Sequence, residues 1–177
     1  MADITIDLSE WKAFALAMGE SAGLLDKHMR NAMDGSLDWL LDRITIEHMG
    51  QQFGKNPAHG VNFGHLRGSF SKEIYGTTYN MVGIAGTPMV YGLPVEMGRS
   101  AGRMPPVDAI KLWAVRKMGL SGKEADRAAW AIAYHIGKHG TKGVHMVEQA
   151  FDQAVSGPEI ETIWAYELEE FLKELAK

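Results

Sequence analysis

The sequence predicts an α+β protein in which a small antiparallel β-sheet, at about residues 69–97, packs against several α-helices within a single domain. Between residues 70 and 86, β-branched and aromatic residues are frequent and glycines punctuate them, which is typical of short strands. On both sides of this region, apolar residues recur every three or four positions, which indicates amphipathic helices. With 177 residues, 46% of them hydrophobic, the chain is long enough to bury one core, so we expect one domain spanning 1–177.

The N-terminal region predicts an extended arm followed by two helices. Ile4, Ile6 and Leu8 alternate with polar residues, so residues 1–8 are expected to form a strand or arm. Ser9 is a suitable N-cap for a first helix, whose apolar face comprises Trp11, Phe14, Ala15, Met18, Ala22, Leu25 and Met29. The run 34–36 (Asp-Gly-Ser) is expected to end this helix, and a second helix is expected to follow from residue 37.

The middle of the chain predicts a surface loop over 55–64 and then two or three antiparallel strands. Gly76 and Gly86 punctuate the strand region, and Asn80 is a candidate turn residue between two strands.

Beyond the strands, the sequence predicts a loop and two further helices. The loop over 99–103 leads to Pro106, which suits the first turn of a helix. Ser121 and Glu124 have the spacing of a capping box for an alanine-rich helix, which we expect Gly137 and Gly140 to end.

The C-terminal region predicts a short helix that stops at Ser156 and Gly157, followed by an amphipathic helix over 158–175. In this last helix, glutamates occupy one side and large apolar residues form a wide stripe on the other. The stripe comprises Ile160, Ile163, Trp164, Leu168, Phe171, Leu172 and Leu175. A stripe this wide is expected to pack on the core or on a neighbouring subunit.

The amino-acid composition argues against several kinds of site and against a membrane protein. The chain has no cysteine, which excludes disulfides, thiolate metal sites and cysteine nucleophiles and fits a reducing cytoplasm. The N-terminus has neither a basic nor an apolar signal-peptide region, and no window approaches 18 uninterrupted apolar residues. We therefore expect a protein that neither enters nor crosses a membrane.

The net charge of -4 is unevenly distributed. Residues 61–143 carry 11 basic and 5 acidic groups, whereas the flanking segments 1–60 and 144–177 are acidic. The basic set comprises Arg67, Lys72, Arg99, Arg103, Lys111, Arg116 and Lys117. This set suggests a non-specific DNA contact as one alternative, but the acidic net charge favours a solvated or subunit-facing basic surface.

Histidines provide a second alternative, a metal-dependent hydrolase. His135 and His139 are four residues apart, with His145 close in sequence. However, Ile136 stands where a zinc peptidase of the His-Glu-x-x-His type has its general base, and an ordinary helix end is the favoured interpretation. No Gly-x-Ser-x-Gly elbow or phosphate-binding glycine loop is present in the sequence. We expect no catalytic, cofactor-binding or metal-binding residue, and no enzyme activity.

Three segments in the middle of the chain resemble a known family. They are Gly64-His65-Leu66-Arg67-Gly68-Ser69, then Val82-Gly83, then 90–98 (Val-Tyr-Gly-Leu-Pro-Val-Glu-Met-Gly). Together they are similar to the "T-G-x-L-R-x-S … V-G … Y-A-x-x-V-E-x-G-T" run of phage minor-tail and neck proteins, which include the lambda-type minor tail protein Z and head-tail joining proteins. The likeness extends over about 61–151, with Gly92 in place of the usual Ala and Arg99 in place of the usual Thr.

This resemblance implies a virion structural protein of a long-tailed double-stranded-DNA phage. Such a neck or tail-completion subunit would form a homo-oligomeric ring between head and tail, with a hexameric ring as the expectation, after assembly in the host cytoplasm. Its partners would be head-completion proteins and tail tube or tail terminator proteins, with possible non-specific contact to channel DNA. The candidate interaction residues are Arg67, Tyr91, Val95, Glu96, Arg99, Arg103, Trp164 and Phe171. An intramolecular Arg67–Glu96 pair is an equal alternative to an intersubunit role for those two residues.

Overall fold

The computed structural model describes residues 19–48 and 64–176. The predicted arm over 1–8, the first half of the first helix and most of the loop over 55–64 lie outside the described residues. Within them, the chain forms several helices, a two-stranded antiparallel hairpin and one further short strand pairing, which confirms the predicted α+β class.

The long helices flank the hairpin in sequence. A short 3₁₀ turn, Gly19–Ser21, leads into α1 (Ala22–Asp42), which continues as a π-helical turn, Arg43–His48. The next elements are α2 (His65–Gly68), β1 (Ser71–Thr77), β2 (Asn80–Gly86), α3 (Gly92–Met97) and β3 (Gly98–Arg99). The chain then forms α4 (Val107–Met118), α5 (Gly122–His139), β4 (Thr141–Lys142), α6 (Met146–Ser156) and α7 (Glu159–Leu175).

These elements divide between two compact units. Of the described residues, the first unit contains 19–46, Phe70–Gly86 and 147–176, and it carries 14 acidic and 5 basic residues. The second contains 47–48, 64–69 and Thr87–Met146, with 5 acidic and 10 basic residues. We call them the acidic unit (-9) and the basic unit (+5). The uneven charge of the sequence therefore follows the division of the fold.

The acidic unit has a core of large side chains between α1, α7 and the hairpin. The core residues are Leu25, Met29, Ala32, Met81, Trp164 and Phe171. Residues of α1 pack on both the hairpin and α7. Gly83 brings β2 close to α1, because an added Cβ would lie only 2.6 Å from the Met33 sulfur. The hairpin thus lies directly on the helix.

The expected break over 34–36 is wrong, since α1 runs through it without interruption. Tertiary packing explains the difference, because a Cβ at Gly35 would meet the Ile163 side chain of α7 at 3.2 Å. The Ser36 hydroxyl donates to the Ala32 carbonyl at 2.7 Å, which keeps this polar side chain compatible with a helix. Close helix contact outweighs the roughly 1 kcal/mol by which glycine disfavours a helix interior.

The hairpin turn also differs from the prediction. Thr77 pairs with Asn80, so Thr78 and Tyr79 form the turn and Asn80 begins β2. Residues 92–97, which the sequence placed in or near a third strand, form α3 instead. The remaining sheet is a separate short pairing of β3 with β4.

The basic unit packs α4 against α5 through small residues. Ala114 on α4 is fully buried, as are Ala125, Ala129 and Ala133 on α5. Ser121 precedes α5 as predicted but makes no side-chain capping hydrogen bond, so the capping box with Glu124 is not formed. Gly137 does not end the helix, because it is buried against Met104 and α5 continues to His139.

Candidate interaction surfaces

Two of the segments that carry the family resemblance meet in the basic unit. The Ser69 hydroxyl donates to the Leu66 carbonyl at 2.8 Å and shares a 2.6 Å hydrogen bond with the Thr87 hydroxyl. An added Cβ at Gly92 would lie 3.0 Å from the Thr87 methyl and 3.5 Å from a Leu66 methyl. The close approach of the Thr87 and Leu66 side chains gives a physical reason for glycine at position 92. The segments 64–69 and 90–98 therefore form one packed corner.

The end of the third resemblance segment crosses the chain that follows α5. β3 pairs with β4, and two backbone amides beyond Gly143 continue the contact. The amide of Val144 donates to the Val95 carbonyl at 2.9 Å, and that of His145 donates to the Glu96 carbonyl at 3.0 Å. Gly98 has a φ of +79°, and the Thr141 carbonyl lies where a Cβ would project. Only glycine fits this crossing without strain.

The structure places Arg67 and Glu96 on different short helices of the basic unit. Arg67 is exposed on α2, and Glu96 is half-buried on α3. Within residues 19–48 and 64–176, no ion pair joins Arg67 to Glu96. The alternative of an intramolecular pair between them is thus not realised in the described chain.

Tyr91, Val95, Arg99 and Arg103 also lie in the basic unit. Tyr91 is 46% exposed at the start of α3, whereas Val95 is half-buried and contributes its backbone to the crossing. The Arg99 guanidinium donates to the Arg103 carbonyl, which closes the loop on itself. The same loop is attached to α5, because the Gly102 amide donates to the Gly137 carbonyl at 2.7 Å.

Trp164 and Phe171, which the sequence presented as interaction residues, belong to the core of the acidic unit. Phe171 is 1% exposed and its ring lies edge-on to His28, at 6.0 Å between centroids. The Trp164 indole N–H donates to the buried Ser36 hydroxyl at 3.0 Å. The wide stripe on α7 therefore packs on α1 within one chain, and these side chains are not at the surface.

His135 and His139 lie together on α5, with 4.6 Å between ring centroids. Gly137 was expected to end this helix, but α5 continues to His139, so both histidines lie on it. Among the described residues, no group of three or more His, Asp or Glu side chains could hold a metal ion. The hydrolase alternative thus gains no ligand set from this part of the chain.

The hairpin exposes an apolar face. On the side away from α1, Tyr75 pairs across the strands with Val82, and Ile84 lies next along β2. These three side chains are 52%, 49% and 51% exposed, respectively. We call them the hairpin face. In the described structure the hairpin is a sheet of two strands, so each strand also has one edge without a β-partner.

Cations in the acidic unit have partners. Lys27 contacts Glu174 at 2.9 Å, Arg30 contacts Asp26 at 2.8 Å, and Lys173 contacts Glu170 at 2.8 Å. Lys72 contacts Asp34 and Asp38, each at 2.7 Å. Burial acts to lower the pKa of Lys72, but its hydrogen bonds to the two aspartates prevail and the pKa lies above its ordinary value.

Lys72 was part of the basic set that suggested DNA contact, and its charge is instead neutralised within the acidic unit. Lys111 of that set contacts Asp126 at 2.6 Å, and this contact raises the pKa of Lys111. Two members of the basic set therefore have their charges neutralised by aspartates of the same chain.

A different set of cations shares one face of α5, together with two aromatic residues. Successive spacings of four, three, four and four residues place Lys123, Arg127, Trp130, Tyr134 and Lys138 on one stripe of the helix. All five side chains are exposed. We call this set the α5 stripe. No function was expected for it from the sequence, although the helical spacing of its residues was a signal for such a surface.

No described helix is long and apolar enough to cross a bilayer. Comparison with known proteins finds no matching family model, no matching curated protein and no matching solved structure.

Proposed function

We propose that this chain is a structural virion protein of a long-tailed double-stranded-DNA phage, a neck or tail-completion subunit that assembles as a ring between head and tail. The proposal places it in the virion, after assembly in the host cytoplasm, and gives it no catalytic role. Its partners are other copies of the chain, head-completion proteins and tail tube or tail terminator proteins.

The observation that carries the proposal is the packed corner of the basic unit. Leu66, Thr87 and Gly92 join the two segments of the resemblance that are furthest apart in sequence, and Gly98 fits the chain crossing beside them. The residues of the resemblance thus have structural roles in packing and backbone geometry. Such roles are expected of a motif that maintains the shape of an assembling subunit.

Two further features supply surfaces for assembly. The hairpin face would leave three large apolar side chains in water in an isolated subunit, and a neighbouring subunit would cover them. The opposite charges of the two units favour head-to-tail contacts, in which the acidic unit of one copy meets the basic unit of the next. Head-to-tail contacts that close by rotation produce a ring.

Native mass spectrometry and negative-stain electron microscopy of the purified chain test the proposal. The expected result is a closed ring, with six copies as the leading stoichiometry, that binds head-completion or tail tube proteins in a pull-down. Ile84→Asp is expected to impair assembly, because it places a charge within the hairpin face. Val155→Asp is the matched control, since Val155 is 74% exposed on α6 and lies outside that face.

A chain that stays monomeric at high concentration and binds none of the head or tail components would overturn the proposal. Its absence from purified particles, measured by mass spectrometry of the virion, would have the same consequence.

A further inference from the structure

We propose that the α5 stripe is a binding surface for single-stranded nucleic acid. This function is separate from ring assembly. The argument rests on unpaired charge, exposed aromatic area and their common placement on one helix.

The three cations of the stripe form no ion pair within the described chain. Lys123, Arg127 and Lys138 make no ion pair with any residue of 19–48 or 64–176, whereas the neighbouring Lys111 is paired with Asp126. From Lys123 to Lys138, which are 15 positions apart, the stripe extends about 22 Å along the helix axis. This length matches several nucleotides of an extended strand, so a polyanion can contact all three cations at once.

Two aromatic rings occupy the centre of the stripe. The rings of Trp130 and Tyr134 stack on each other, with 5.3 Å between centroids and an angle of 6° between planes. Their side chains are nevertheless 57% and 49% exposed. Exposed rings at fixed geometry are suited to stacking with unpaired bases, which have open faces of similar size.

The combination favours a single strand over a duplex. A duplex offers phosphates to the cations but encloses its bases, so it would leave Trp130 and Tyr134 uncovered. A single strand offers both phosphates and base faces. The net charge of -4 does not oppose this locally, because charges further away than about 8 Å are largely screened at physiological salt.

Fluorescence anisotropy with a labelled 20-nucleotide oligothymidine, using the full chain at low salt, tests the proposal. The single strand is expected to bind more tightly than a duplex of the same length. With three phosphate contacts, the logarithm of the association constant should fall with the logarithm of salt with a slope of about -2. Replacing Lys123, Arg127 and Lys138 together by Gln should abolish most of this slope.

Separate variants test the contribution of the two aromatic side chains to binding. Trp130→Ala with Tyr134→Ala is expected to weaken binding of the single strand by about fivefold or more, and to leave duplex binding unchanged. Tyr166→Ala is the matched control, because Tyr166 is 59% exposed on α7 of the acidic unit. Circular dichroism should show all these variants folded, since every substituted side chain is exposed.

Four results would overturn the proposal. Three of them are the absence of any anisotropy change at low salt, binding that the stripe variants leave unaltered, and equal affinity for single strand and duplex. A fourth is a change of oligomeric state in the stripe variants without loss of nucleic-acid binding, which would make the stripe a contact between copies. Ring formation is measured on the same samples, so failure of ring assembly alone concerns the proposed function and not this surface.

Discussion

The acidic and basic units use their charged residues in opposite ways. In the acidic unit, Lys27, Arg30, Lys72 and Lys173 each contact a carboxylate of the same unit. In the basic unit, most of the ten basic residues make no ion pair within the described chain, and Lys111 is an exception. The acidic unit therefore neutralises these cations with its own carboxylates, whereas the basic unit leaves positive charge available for a negatively charged partner.

The interiors of the two units also differ, in the size of the side chains that they bury. The acidic unit buries large side chains such as Leu25, Met29 and Phe171, while the alanines between α4 and α5 allow close helix contact with little apolar volume. Stability is therefore expected to depend on different residues in the two units, and the following substitutions test that difference.

The largest effect is expected from Phe171→Ala in the acidic unit. Removal of this ring leaves a cavity in the core, which should lower the free energy of unfolding by about 3–5 kcal/mol. Urea unfolding followed by circular dichroism measures the change. Leu172→Ala is the matched control on the same helix, and because Leu172 is 45% exposed its cost should be below about 1 kcal/mol. Similar losses for both variants would contradict the assignment of Phe171 to the core.

In the basic unit, the largest effect is expected from a backbone position. Gly98→Ala introduces a Cβ at φ +79° and against the Thr141 carbonyl, which should cost about 2–3 kcal/mol of stability. Thermal unfolding is the measurement. Gly102→Ala, at a position where nothing lies within 4 Å of the added Cβ, should change stability by less than about 0.5 kcal/mol. If Gly98→Ala left stability unchanged, the close crossing of β3 and β4 would not be required for stability.

A smaller, pH-dependent effect is expected where the hairpin turn contacts α1. The Thr78 hydroxyl and the Arg30 guanidinium donate to the Asp26 carboxylate, and they hold the pKa of Asp26 below its ordinary value. Because the folded pKa is depressed, this stabilisation is present above about pH 4 and is lost as the pH falls through the folded value. Thr78→Val should therefore cost about 1 kcal/mol at pH 7, and progressively less in acid.

Urea unfolding of wild type and Thr78→Val from pH 7 to pH 2.5 checks this expectation, with Thr77→Val as the neighbouring control. A constant difference between wild type and Thr78→Val across this range would show that the ionised Asp26 is not the partner that matters.

The smallest effect is expected for two lysines, one that forms ion pairs and one that forms none in the described chain. Lys72→Gln removes two contacts to aspartates in the acidic unit and should lower stability by about 0.5–1 kcal/mol. Lys138→Gln removes a charge without a partner in the described chain, and stability should stay within about 0.5 kcal/mol. If Lys138→Gln were the more destabilising of the two, the contrast between the units would be wrong.

Sequence patterns predicted helices and strands correctly where the local signals agree with the tertiary packing. The last helix, predicted over 158–175, runs over Glu159–Leu175, because seven apolar residues repeat on one face and Pro158 precedes them. The strands at 71–77 and 80–86 lie within the predicted sheet region for a similar reason. The predictions failed at Gly35 and Gly137, where local break signals are outweighed by contacts with Ile163 and Met104 from distant parts of the sequence.

The candidate surfaces were less predictable than the fold. Periodicity identified the apolar stripe of α7 but not what covers it, so Trp164 and Phe171 were expected at an interface although α1 buries them. The charges of Lys72 and Lys111 were counted as available because their aspartate partners are 15 or more residues away in sequence. The α5 stripe follows from helical spacing once the helix is known to continue past Gly137.

The sequence by itself determined the α+β class, the positions of the main helices and the separation of acidic from basic segments, since each depends on residue type and spacing along one element. Only the tertiary structure decided which cations are neutralised, which apolar stripe is buried and which glycines are needed for close packing. The physical reason is that ion pairs, side-chain burial and backbone crossings depend on distances between residues far apart in the chain, and local sequence does not encode those distances directly.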